Sequence, residues 1–515
     1  MKTRFTLLLL QSMLVLPLAA KPRLPDIFGD HAVLQRGKPV PVWGQADPGE
    51  HITVRHGMAS AQGVADKDGK WTVTLPALAE GAPQDLIVTG NGTVTSHDVI
   101  TGDVWLCSGQ SNMAWSLSQS ENRNVGAEEV INEAPNAQIR EFHRRPIHIP
   151  FAAEPRSELR GEWAVATPKT RREFSAVAYL YARELNNQLH IPQGVIVSAD
   201  AGTFIESWMS AEALRAAGIH DEMTGKWEKT LAEFPAREAK HKEMVAAWEA
   251  AKKEAEATGA KFTQGRPSNP PGPGHHDAPA SCFNTLINPV VPYALKGMVW
   301  YQGEQNIGRR QKYADLLRCF LTDLRQRWSD PSLPVLIVQL PNFKSDNADR
   351  PEWAVFREAQ ASLQKEPHTF MATAIDLGTP DNVHPADKRE LCRRLAAVAL
   401  KEIYGRKVHA YGPRLKSVTR DGAVLRVAFV SEASPLVLQA ATVSGKTFEV
   451  AGADGRFVPA TARVTTPDTL NVESPSVATP TMVRYLWANA PAAILYDGKG
   501  LPAYPFNAEV GYALP

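Results

Sequence analysis

Residues 104–113 read Val-Trp-Leu-Cys-Ser-Gly-Gln-Ser-Asn-Met, an apolar run that suits a buried strand and breaks into a polar turn with Ser111 at its tip. Similar short apolar runs recur at Ile139–Phe142, Gly194–Ser198, Gly297–Tyr301, Val335–Leu340 and Met371–Asp376. Continuous runs of this kind fit strands of a parallel sheet, which is covered on both faces and therefore has no polar side. Between them, Ser175–Leu189, Gln311–Trp328, Trp353–Lys365 and Ala386–Tyr404 carry apolar residues three and four apart with charge on the other face, as amphipathic helices do. Strands alternating with such helices predict βαβ units and an α/β, doubly wound parallel sheet.

In open sheets of this type ligands bind beyond the carboxyl ends of the strands. Polar clusters occupy those positions: Ser111 after the first run, Trp300-Tyr-Gln-Gly-Glu-Gln-Asn306 at another, and Asp381-Asn-Val-His-Pro385 after a third. A serine hydroxyl becomes a nucleophile only when a base, a group orienting that base and an oxyanion site converge on it. His384 and Asp381 are candidates for the first two roles. Two structural alternatives stay open from the residues alone. Ser111 suits a helix N-cap, and Asp381 suits a cap of the helix that begins after Pro385.

Gly-Gln-Ser-Asn-Met at 109–113, Ala-Gly-Thr-x-Ile-Glu-Ser-Trp at 201–208, Trp-Tyr-Gln-Gly-Glu-x-Asn at 300–306 and Asp-x-x-His-Pro at 381–385 resemble the blocks of the sialate O-acetylesterase branch of the SGNH hydrolases. Ala32–Gly44 and Gly500–Phe506 are similar to segments of the same family, so the resemblance covers most of the chain outside about 210–278. It implies a flavodoxin-like SGNH hydrolase domain that removes acetyl groups from sugar hydroxyls, with no cofactor and no metal. Ser111 would be the nucleophile, His384 the general base and Asp381 its orienter. The backbone amides of Ser111 and Gly202, with the side-chain amide of Asn306, would form the oxyanion hole. Gln110, Gln302, Glu304, Trp208 and Arg357 would contact substrate or support the groups that do. The chain departs from the family where paired glycines are usual, reading Ala201-Gly202 after an unexplained carboxylate, Asp200.

Other readings compete. Glu304 with Asp381 or Glu206 would supply the two carboxylates of a glycosidase, but such an enzyme has no need of the Ser-Asn turn or of a histidine three residues after the aspartate. A non-catalytic sugar-binding protein would use Trp115, Trp208 and Trp300 as platforms. Within the esterase reading, a sialic acid carboxylate requires a cation in the pocket, for which Arg357 is the candidate. Acetylated xylan or xyloglucan requires none.

The chain starts with basic Met1–Phe5, an apolar Leu7–Leu18 and Ala19-Ala20 before Lys21, the pattern of a secretory signal over residues 1–20. Its apolar run is too short to span a bilayer. A secreted or periplasmic location is expected, with no membrane partner after cleavage. The remainder is too long for one core and suits roughly three domains. Residues 21–100, with Val40–Gly44, Ile52–Arg55, Trp71–Leu75 and Leu86–Thr89 between turn clusters, read as a β-sandwich-like domain. Residues 101–410 hold the hydrolase domain and 411–515 a C-terminal β-domain with strands at Ala423–Phe429, Thr447–Val450 and Met482–Trp487.

The stretch from about 210 to 278 reads as an insertion: a charged helical hairpin rich in Ala, Lys and Glu, then a Pro/Gly-rich loop. Placed between the second and third blocks, it is expected near the mouth of the site. His275-His276-Asp277 in that loop has metal-binding residue types, but a mobile loop makes a poor preorganised site. With 56 basic and 55 acidic side chains the chain has no global attraction to nucleic acid. Export permits disulfides among the four cysteines without requiring them, and free thiols are expected.

Overall fold

The computed structural model describes residues 21–514 apart from 122–125, 146–148, 345–349 and 440–446. The secretory signal read at 1–20 lies outside the described residues. At the centre is a sheet with strand order β13-β12-β11-β7-β10-β8-β9. These strands are β7 (Thr93–Gly109), β8 (Asn136–Arg144), β9 (Gly161–Ala166), β10 (Gln193–Ala199), β11 (Gly297–Tyr301), β12 (Val335–Gln339) and β13 (Thr369–Thr373). All neighbours pair in parallel except β8 and β9, which are antiparallel at one edge. β11 and β12 are buried along their whole length, as expected of strands covered on both faces.

Helix α2 (Ala176–Leu189) packs with α7 (Arg389–Glu402), and α5 (Arg310–Arg327) packs with α6 (Glu352–Ser362). α5 lies in the crossover from β11 to β12 and α6 in the crossover from β12 to β13. The strand and helix runs read from periodicity therefore appear at their expected places, within a few residues. Met371–Asp376 is shorter than read, because β13 ends at Thr373 and the chain turns toward the site.

The amino-terminal region contains β1 (Val33–Gln35), β2 (Val40–Gln45), β3 (His51–His56), β4 (Ala59–Val64), β5 (Lys70–Leu75) and β6 (Gly81–Thr89). β2 pairs with β5, while β4, β3 and β6 form a second antiparallel layer that continues into β7. Alternating burial along β3 and β5 puts Ile52, Val54, Trp71, Val73 and Leu75 into the core. The expected boundary at residue 100 falls inside β7, a 17-residue strand that serves the β-region with its first half and the catalytic sheet with its second. The two regions share one hydrophobic core.

The carboxyl-terminal region begins with the strand Arg414–Asp421 and has two four-stranded antiparallel sheets around a separate core of Val418, Leu425, Val427, Phe448, Val450 and Val483. Tyr504 anchors it to the catalytic sheet by donating a hydrogen bond to the Met371 carbonyl at 3.0 Å.

The inserted segment is not a helical hairpin. After a short helix, α3 (Ala211–Ala216), it is one 39-residue helix, α4 (His220–Thr258), that ends at Gly259 in the left-handed conformation. The Pro-rich chain then runs back along it: the Trp248 indole N–H donates to the Gln264 carbonyl, and its ring packs on Phe262 at 5.6 Å. All four thiols are unbridged. No helix among the described residues is long and apolar enough to cross a membrane.

Candidate active site

The register of the sheet brings the polar clusters together. Gly109 at the end of β7 stands opposite Ala199 of β10 on one side and Tyr301 of β11 on the other. The three chains leave the sheet at one level, as Gln110-Ser111, Asp200-Ala201-Gly202 and Gln302–Asn306. Gly109 has φ +141°, and a Cβ there would lie 2.0 Å from the Tyr301 carbonyl oxygen. Only glycine permits both this conformation and this approach.

Ser111 opens α1 (Ser111–Ala114), a helix of four residues. Ser175, the N-cap of α2, fixes α1 by donating its hydroxyl to the Met113 carbonyl at 2.7 Å. The Ser111 Oγ is 2.8 Å from His384 Nε2, a hydrogen-bond contact between residues 273 positions apart. The imidazole is stacked on Trp115, with ring centres 4.4 Å apart and planes at 24°. The His384 amide donates to Asn382 Oδ1 at 3.0 Å, which shapes the turn that presents the ring.

Asp381 stands apart from this pair. Its side chain is 84% exposed and its ion partner is Lys344, at 3.9 Å. Asp381 and His384 share no ion pair within 4 Å. The aspartate lies on the solvent side of the turn, and it is Asn382 that bonds the histidine's backbone. The side chain was expected to orient the imidazole, and this geometry does not bring the two together.

Behind the nucleophile lies a buried polar cluster that the sequence reading missed in part. Asn112 donates its amide to the Val383 carbonyl at 3.0 Å and to the Glu304 carboxylate, and its Oδ1 accepts from Lys388 Nζ at 2.6 Å. One side chain thus ties the serine turn, the third block and the histidine loop. Burial drives the Lys388 ammonium down to about 8, although the Glu304 charge opposes the shift. Burial also raises the Glu304 carboxyl, opposed chiefly by its bond from Asn112. Part of Glu304 reaches solvent, but Oε2 is buried with no hydrogen-bond partner among the described residues. Lys388 lies four residues beyond His384, and only the fold shows that it turns inward.

Asn306 is fully buried. Its Oδ1 accepts from the Ile205 amide at 2.9 Å and from Gln302 at 2.7 Å, and its Nδ2 donates one hydrogen to Glu206 at 2.8 Å. An amide nitrogen has two hydrogens, and the second has no acceptor among the described residues. Gly202, at φ +71°, has open space where a Cβ would be. No group among the described residues accepts its N–H or that of Ser111.

The remaining candidates are interior. Gln110 accepts from the Gly303 and Gln305 amides, and Gln302 bonds the Thr203 carbonyl, Asn306 and the Tyr313 hydroxyl. Trp208 is buried edge-on against Trp300 and donates to Thr203, so neither indole presents a face to a sugar. Arg357 is fully buried and bonds the carbonyls of Pro341, Ala488 and Asn489. It joins α6 to the carboxyl-terminal region and is not the cation of a substrate pocket. The carboxylates of a glycosidase pair are engaged as well, Glu206 with Asn306 and Arg309 and Glu304 with Asn112.

Asp200 accepts from His276 Nδ1 at 2.8 Å, which fastens the root of the insertion to the end of β10. His275, His276 and Asp277 place ligand atoms within 4.8 Å of one another, a spacing that admits a divalent ion.

A mixed α/β sheet with a serine and a histidine in contact at its carboxyl edge suits an esterase-type hydrolase. The chain belongs to the carbohydrate acetylesterases of the sialate O-acetylesterase family. Residues 281–401 match the family described as carbohydrate esterase, sialic acid-specific acetylesterase. A carbohydrate acetylesterase from Xanthomonas citri has a similar solved structure, with a TM-score of 0.78 and 33% identity over 95% of this chain and 99% of that one. The sialate O-acetylesterases of Mus musculus and Rattus norvegicus are 28% and 29% identical, each over 95% of this chain and 95% and 94% of their own lengths.

Proposed function

We propose that the protein is a carbohydrate O-acetylesterase of sialate O-acetylesterase type that works through Ser111 and an acetyl-enzyme. The observation that carries this reading is the 2.8 Å contact between Ser111 Oγ and His384 Nε2. Ser111 Oγ attacks the acetyl carbonyl carbon while its proton passes to His384 Nε2. The charge that forms on the carbonyl oxygen faces the Ser111 and Gly202 N–H groups and the free Asn306 hydrogen, neutral donors fixed before the reaction begins. The C–O bond to the sugar breaks, and His384 returns the proton to the departing sugar oxygen. Water then gives a proton to His384 and attacks acetyl-Ser111, releasing acetate and restoring the serine.

In this arrangement the imidazole is aligned by the Trp115 face and by the turn that Asn382 and Asn112 hold, while Asp381 remains at the surface. The signal read at residues 1–20 would direct the activity to the periplasm or the exterior. The test is acetate release from O-acetylated sialic acid and from acetylated xylan, each measured beside Ser111→Ala. Release that persists in Ser111→Ala sinks the serine mechanism. Release from xylan alone transfers the enzyme to plant glycans.

A further inference from the structure

The Pro/Gly-rich chain that follows α4 returns to the catalytic domain at His275-His276-Asp277. Its composition predicts a mobile loop, but the structure pins this end of it. The Phe151 amide donates to the Gly274 carbonyl at 2.9 Å, and the His275 amide donates to the Gly272 carbonyl at 3.0 Å. The Ser281 hydroxyl donates to the His276 carbonyl at 2.7 Å, and the Phe151 ring stands edge-on to His276 with centres 5.8 Å apart. Neighbouring segments therefore hold the backbone that carries the three side chains, as a preorganised site requires.

The functional atoms of the three face one another. His275 Nδ1 is 3.6 Å from Asp277 Oδ2, and His276 Nε2 is 3.7 Å from Asp277 Oδ1. A tetrahedral Zn²⁺ with bonds of about 2.0–2.1 Å sets its ligand atoms about 3.3 Å apart, so small side-chain rotations close the set. Asp277 Oδ1 is buried and has no hydrogen-bond partner among the described residues. A carboxylate oxygen in that position is costly, and a cation beside it removes the cost. His276 donates its Nδ1 hydrogen to Asp200 at 2.8 Å, which leaves the Nε2 lone pair for a metal. A carboxylate behind the second nitrogen is the usual means of orienting a ligating imidazole. Asp200 in turn pairs with Arg144 at 3.8 Å. The Asp277 amide donates to His275 Nδ1 at 3.2 Å, so that lone pair points toward Asp277, where an ion would take the place of the amide hydrogen.

We propose that His275, His276 and Asp277 bind one divalent transition-metal ion, Zn²⁺ by its ligand set, with Asp200 orienting His276. Two imidazoles and a carboxylate suit Zn²⁺, whereas Ca²⁺ and Mg²⁺ take oxygen ligands. Three protein ligands leave a fourth position for water. The ion fastens the root of the insertion to the end of β10, two residues before Gly202, and gives the otherwise unexplained Asp200 a role. It is structural, and no step at Ser111 passes through it.

The experiment titrates ZnCl₂ by isothermal calorimetry into the purified full chain, stripped with chelator and carrying no polyhistidine tag. One ion per chain is expected, with a Kd of about 1 μM or tighter. His275→Ala and Asp277→Asn each remove a ligand and should weaken binding by about 100-fold or more, while Asp200→Asn, which leaves all three ligands in place, should weaken it by about 10- to 100-fold. Circular dichroism checks that each variant is folded, and Asp200→Asn carries the comparison if a ligand variant is not. Wild-type protein that binds Zn²⁺ no more tightly than about 100 μM overturns the proposal without any variant. Binding that survives both ligand substitutions belongs to other histidines and overturns it too, as does Ca²⁺ binding of equal affinity. The titration needs no substrate, so its result is independent of the serine-esterase reading.

Discussion

The side chain of Asn112 accepts a hydrogen bond from Lys388 Nζ at 2.6 Å and donates to the backbone behind His384 at 3.0 Å, so the residue next to the nucleophile also positions the base. Both ends of the Ser111–His384 contact depend on one amide.

Asn112→Ala removes the group that joins the buried Lys388 ammonium to the partly buried Glu304 carboxylate. Taking away a partner within such a cluster costs roughly 2–4 kcal/mol, because desolvated charge is left behind. We expect a loss of this size in urea unfolding, together with a 10- to 100-fold fall in kcat as the His384 loop loses its anchor. An unchanged kcat in a folded Asn112→Ala protein would separate the network from catalysis.

Lys388 makes stability depend on pH. In the fold it loses its proton near pH 8, whereas an exposed lysine keeps it to about 10.5. Between those values the unfolded chain binds more protons, so this residue's contribution to stability rises with pH. The full change is on the order of 3 kcal/mol. Urea unfolding from pH 7 to 10 should show this rise relative to Lys388→Met, and parallel curves for the two proteins would contradict it.

Asp381 provides a direct contrast with His384. Removing the base should lower kcat by at least about 10³-fold. Asp381→Asn, at an 84% exposed carboxylate paired with Lys344, should change it by less than about threefold. A working triad aspartate would instead cost about 10⁴-fold, so steady-state rates for the two variants decide its role.

Asn306→Ala should reduce kcat by about 10²–10³-fold, the usual effect of deleting one oxyanion donor, with KM little altered. A change confined to KM would place Asn306 in ground-state binding instead.

Gly109→Ala should prevent correct assembly of the site. The added carbon would meet the Tyr301 carbonyl at 2.0 Å, and two adjacent strands cannot separate without losing their ladder. We expect a destabilisation above about 4 kcal/mol, read as poor recovery of folded protein or a large fall in urea midpoint.

The sequence by itself determined the strands and helices of the catalytic sheet, because buried strands and amphipathic helices leave local periodic signatures. It also determined which residue types could act, since Ser111, His384 and Asn306 each follow an apolar run. It could not place side chains whose partners lie far along the chain. The absence of a turn between Trp227 and Ala257 distinguishes one helix from a hairpin only weakly, and the boundary at residue 100 is invisible because β7 stays apolar across it. Only the tertiary structure put Asp381 outside the turn and Arg357 against the carboxyl-terminal region. It also turned Lys388 inward. The physical reason is that periodicity records burial one segment at a time, whereas the direction and partners of a charged side chain are set by sheet register and by loops that meet in space.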